Sequence, residues 1–165
     1  MSATVLEKAP ASNASAPSAA VPANTRAPAA PRSAPKTVLV GLDLGTNKSC
    51  VLAGLSGTSD ITVSKVVPTC VGYVKEGIVD GIIAGNAPIL YGEEALQQRL
   101  HVNLVSPLAE GIIAQPPAAR DFLTHIRALA DPSGQADIRA VIGIPANAEE
   151  PAREVIRRCA AGIFS

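Results

Sequence analysis

Apolar and polar positions divide this chain into a patternless leader and a patterned remainder. From Thr37 a run of β-formers (Val38, Leu39, Val40) leads into Gly41-Leu42-Asp43. A second run, Cys50 to Ala53, resumes beyond Leu44-Gly45-Thr46-Asn47-Lys48-Ser49. Two apolar runs around a short polar turn predict a β-hairpin. After turn residues at Gly57 to Asp60, Ile61 to Val67 alternates as a third strand that Pro68 is expected to stop. Cys70 to Val74 reads as a short extended piece, Asp80 to Asn86 as too glycine-rich for a secure element, and Ile89 to Tyr91 as a strand. Gly92 to Arg99 holds helix formers with acids early and Arg99 late, which predicts a short amphipathic helix resting on Ala95 and Leu96.

Pro107 and Gly111 break Leu104 to Ile113 into extended pieces. Pro117 to Ala130 places Ala118, Phe122, Ile126 and Leu129 at helical spacing, with Pro117 in the first turn and Asp131 to Gly134 as the stop. Arg139 to Pro145 is a near-continuous apolar run, the pattern of a strand buried on both faces. Asn147 is expected to cap a last helix, with Glu149 and Glu150 in its first turn and Arg157 and Arg158 near its end. This order predicts an α/β protein with a mixed sheet, antiparallel at the start and parallel where a helix crosses over to the last strand.

Residues 1–36 change the picture only by subtraction. They are rich in Ala, Pro and Ser without periodicity, so they cannot offset their ordering entropy by burial and are expected to be a disordered leader. The prolines from Pro10 onward interrupt any signal-peptide core. Fourteen basic and fourteen acidic residues cancel, so no field attracts nucleic acid or anionic lipid. The four aromatics, Tyr73, Tyr91, Phe122 and Phe164, give little scope for base stacking. No apolar run approaches the ~20 residues that span a bilayer. Cys50, Cys70 and Cys159 are odd in number and far apart, which predicts reduced, buried thiols in a cytoplasmic protein. His101 and His125 stand alone, without metal-site spacing.

Candidate chemistry concentrates in the first turn. A carboxylate ending a buried strand, followed at once by glycine, hydroxyl and amide residues, suits phosphate and magnesium. Gly45 lets the backbone approach a ligand, and successive main-chain N–H groups form an anion-binding concavity. Asp43 is placed to hold a hydrated Mg²⁺, which takes one or two carboxylates plus phosphate oxygens. The same residues also suit a plain hairpin turn, and neither G-x-G-x-x-G nor G-x-x-x-x-G-K-[ST] is present. Lys48 fits either a phosphate contact or a solvated surface. Glu93 and Glu94 read as the exposed face of a helix and Glu110 as part of a turn, so no catalytic residue is assigned.

Gly41-Leu-Asp-Leu-Gly-Thr46 closing a first strand resembles the phosphate-1 motif of the actin-like ATPase superfamily, which spans actins, DnaK-type chaperones and sugar kinases. Tyr91-Gly-Glu-Glu-Ala95, Leu104-Val-Ser-Pro-Leu-Ala-Glu-Gly-Ile-Ile113, Val71-Gly-Tyr-Val-Lys75 and Ala140-Val-Ile-Gly-Ile-Pro-Ala146 are similar, in order and spacing, to bacterial actins of the MamK and MreB type. The resemblance implies that residues 37–165 form the N-terminal half of an actin-like (ribonuclease H-like) ATPase fold. It implies ATP and Mg²⁺ as cofactors, with Asp43 on the metal through water and Gly45, Thr46 and Asn47 at the phosphates. It further implies self-association into filaments that organise organelles or cell shape. The family places a water-orienting glutamate, a second Asp-x-Gly-x-Gly-Thr loop and an adenosine pocket beyond the point matching Ser165. ATP hydrolysis and good solubility are therefore not expected of these residues alone. The competing readings are a non-enzymatic actin-like module that binds a partner or filament, and a fragment of a DnaK-type chaperone.

Overall fold

The computed structural model describes residues 36–146 and 148–165. The expected leader, all but Lys36, and the expected Asn147 cap lie outside the described residues.

Four strands form the main sheet: β1 (Thr37–Asp43), β2 (Lys48–Leu55), β3 (Ile61–Pro68) and β9 (Asp137–Gly143), in the order β3-β2-β1-β9. The β1–β2 and β2–β3 pairs are antiparallel, and β1 pairs with β9 in parallel. Alternation gives β1 its core face, because Val38, Val40 and Leu42 are buried while Leu39, Gly41 and Asp43 are exposed. Register carries that face across the sheet: Leu42 stands opposite Val51, Val40 opposite Ala53, and Val38 beside Ile138. Helix α2 (Pro116–Ala130) covers it with Phe122, Leu123 and Ile126, all fully buried. Each such side chain contributes about 1.5–3 kcal/mol on leaving water. Helix α3 (Glu150–Ala160) adds Cys159 to the same core, and Glu149 holds its N-cap position.

A second, smaller sheet has the order β5-β4-β6, from β4 (Val71–Val74), β5 (Ile89–Tyr91) and β6 (Val102–Val105). Helix α1 (Gly92–Gln97) packs on it through Ala95. The hairpin of β7 (Leu108–Ala109) and β8 (Ile112–Ile113) then leads into α2.

The mixed sheet with its parallel last pairing is as expected, and three details differ. Among the described residues strand β9 pairs with β1 alone and is an edge strand, and its outer face is open, with Val141 77% exposed. Its unbroken apolar run hides an edge strand. Leu96 is 38% exposed, so α1 rests on Ala95. Cys50 is exposed, in contrast to buried Cys70 and Cys159, because it sits on the outer face of β2.

Candidate functional site

The turn between β1 and β2 joins two strands of the main sheet and is fastened at several points. Leu44 is buried, and its N–H donates to the Gly143 carbonyl at 3.5 Å. The Asn47 carbonyl accepts from the Thr69 N–H at 2.9 Å, and the hydroxyls of Ser49 and Thr69, both buried, bond at 2.7 Å. Gly45 is required by space: a Cβ there would overlap the Lys48 carbonyl oxygen. Asp43 ends β1 on the exposed face, opposite Cys50 and beside Gly143. Gly143 leaves that flank open, as a Cβ there would stand 3.7 Å from Asp43 Oδ1.

Within this turn the main-chain N–H groups of Gly45, Thr46 and Asn47 donate to no group of the described residues. Thr46 Oγ1 accepts from the Gly111 N–H at 2.9 Å. That bond holds the hydroxyl oxygen and leaves its own hydrogen for another acceptor. The four predicted residues, Asp43, Gly45, Thr46 and Asn47, thus lie on one ordered turn whose donors are unspent. Successive free amides form a concavity suited to an anion, and an exposed carboxylate beside it suits a hydrated cation. Their chemistry fits a phosphate chain with Mg²⁺. Lys48 is exposed at the start of β2.

The other acids considered for catalysis, Glu93, Glu94 and Glu110, fall in two places. Glu93 and Glu94 are exposed on α1, which packs on the small sheet. Glu110 turns the β7–β8 hairpin with φ of 52°, next to Gly111 at 79°. Gly111 is a residue that sequence reasoning passed over as a breaker. Its partner Thr46 is 65 positions away, so no local pattern could pair them.

A further cluster joins the small sheet to α2. The Tyr73 hydroxyl donates to Asp121 Oδ2 at 2.6 Å, and the Tyr91 ring stacks on His125 with centroids 4.5 Å apart. Burial, then the Asp121 hydrogen bond, pushes the Tyr73 phenol up. Burial, then the Lys65 charge, lowers His125. Burial also raises the thiols of Cys70 and Cys159.

No protein-family profile matches the chain. The actin-like protein MamK of Magnetospirillum gryphiswaldense is 31% identical over 116 residues, which is 67% of this chain and 30% of that protein. The MamK double helical filament superposes with a TM-score of 0.65 at 28% identity, covering 78% of this chain and 38% of that one. The chain resembles part of the bacterial actins of the MamK and MreB type. MreB5 of Spiroplasma citri, solved bound to ADP, matches with a TM-score of 0.53 at 25% identity over 77% of this chain and 35% of that one. These matches favour the bacterial-actin reading over the chaperone and partner-module readings. The actin-like chain spans 30–35% of the length of the curated MamK relatives it matches. Among the described residues, no helix is long and apolar enough to cross a membrane.

Proposed function

We propose that the β1–β2 turn is one wall of an ATP–Mg²⁺ site in a cytoplasmic, filament-forming actin-like protein. The observation that carries this is the set of three consecutive unspent amides, Gly45, Thr46 and Asn47, beside the exposed carboxylate of Asp43. The amides and the Thr46 hydroxyl would hold phosphate oxygens, and Asp43 would hold water on the Mg²⁺. Bound Mg²⁺ supplies charge neutralisation at the phosphates. The ADP in the MreB5 structure supports a nucleotide as the anion, and the MamK filament supports filament assembly as its use. Phosphoryl transfer needs groups on several sides of the phosphates, so the wall described here is assigned binding and positioning rather than hydrolysis.

Titration of the chain with a fluorescent ADP analogue, with and without Mg²⁺, tests the reading. Saturable binding that weakens when Mg²⁺ is removed, and again in Asp43→Ala, is expected. Binding that ignores both changes, or none at all, contradicts it.

A further inference from the structure

The small sheet meets helix α2 along a seam of polar and aromatic side chains. Tyr73 of β4 and Tyr91 of β5 come from the sheet, and Asp121 and His125, one turn apart, come from the helix. The Tyr73 hydroxyl donates to Asp121 Oδ2 at 2.6 Å. The rings of Tyr91 and His125 lie nearly parallel, with 11° between their planes. All four residues are half-buried. Lys65, on the neighbouring strand β3, brings a positive charge to bear on the imidazole.

A neutral imidazole suits this seam and a charged one does not. Tyr91 covers the ring, so an imidazolium there loses hydration, and Lys65 repels it. The face of Tyr91 attracts a cation. Burial and Lys65 outweigh that attraction, since they hold His125 below its ordinary 6.5. Asp121 gives no free relief. It stands four residues before His125, within reach along the helix, but turning to an imidazolium would take the acceptor from Tyr73. Each way of accommodating the charge thus weakens one of the two side-chain ties between the small sheet and α2. Moving the sheet off the helix removes the conflict, because the ring then meets water.

We propose that His125 is a proton-operated latch: neutral, it keeps the small sheet closed on α2, and its protonation releases that sheet while the main sheet stays folded. The released form takes up the proton more readily, so closure is complete above the released form's titration and is lost as pH falls through that of the closed form. The latch uses none of Asp43, Gly45, Thr46 or Asn47, so it stands or falls apart from the nucleotide reading.

The test is NMR of the full chain between about pH 8 and about pH 5, the range over which histidines titrate. The His125 ring protons should titrate below the ordinary value. With the same midpoint, amides of β4 and β5 should lose several-fold of their protection, measured against unstructured peptide at each pH, and amides of β1 and β2 should not. His125→Phe keeps an aromatic ring against Tyr91 but takes no proton, so β4 and β5 should stay protected throughout; it leaves the other histidine, His101, in place. Tyr91→Leu uncovers the imidazole, so His125 should titrate nearer its ordinary value and most of the pH dependence should go. Equal loss of protection in both sheets, a loss that persists in His125→Phe or is undiminished in Tyr91→Leu, or no loss in the unaltered chain would each overturn the proposal.

Discussion

The two sheets of this molecule differ in how much core each owns. The main sheet has strands of seven and eight residues sharing one core with α2 and α3, whereas the small sheet has strands of three and four residues around Cys70, Ile83, Leu90, Ala95 and Val102. Sheets this small seldom hold without support. The small sheet leans on the main core through Val71 and on α2 through two side-chain pairs, Tyr73 with Asp121 and Tyr91 with His125. The β1–β2 turn, by contrast, is held at the end of the main sheet by Leu44, Thr69 and Gly111. The more stable unit therefore carries the preorganised donors, and the less stable one is free to open first.

Core truncations should separate the two units most strongly. Phe122→Ala empties a fully buried site under both sheets and should cost about 3–5 kcal/mol. Denaturant unfolding should show the loss, and amide exchange should rise throughout. Leu90→Ala in the small core should cost about 2–4 kcal/mol, with faster exchange confined to β4, β5 and β6. Equal exchange in both sheets after Leu90→Ala would make them one cooperative unit.

Gly45→Ala comes next. Its Cβ cannot coexist with the Lys48 carbonyl oxygen, so the turn must shift, at about 1–3 kcal/mol. Amide chemical shifts at Thr46 and Asn47 should move while those of the small sheet do not.

Tyr73→Phe removes a donor from half-buried Asp121 and should cost about 1–2 kcal/mol, seen as faster exchange in the small sheet alone. The smallest effect is one of pH. Burial first and Lys65 second lower His125 below its ordinary 6.5, so the folded chain takes up that proton less readily than the unfolded one. The contribution is complete above the unfolded value and is lost as pH falls through the folded value. Stability should decline as pH falls below about 7, and His125→Gln should flatten that slope in a denaturant series.

What could be read beforehand follows the range of each interaction. Alternation at Val38, Val40 and Leu42 and helical spacing at Ala118, Phe122 and Ile126 are local, so the hairpin and α2 were legible. Asp43, Gly45, Thr46 and Asn47 stood together for the same reason, being neighbours in one turn. The exposure of Val141 and Cys50 was not legible, because an apolar run does not say whether a further element covers its outer face. The Thr46–Gly111, Ser49–Thr69 and Tyr73–Asp121 bonds link residues 65, 20 and 48 positions apart. Only the folded register brings such pairs together, and nothing in spacing announces them.

Amide NMR of the chain titrated with ADP tests most directly whether the β1–β2 turn is a phosphate wall with a metal-linked carboxylate. With Mg²⁺ present, the N–H resonances of Gly45, Thr46 and Asn47 should move together and saturate, those of the small sheet should stay still, and Asp43→Ala should remove the dependence on Mg²⁺. Shifts that spare these three amides, or a Mg²⁺ dependence that survives in Asp43→Ala, would contradict it.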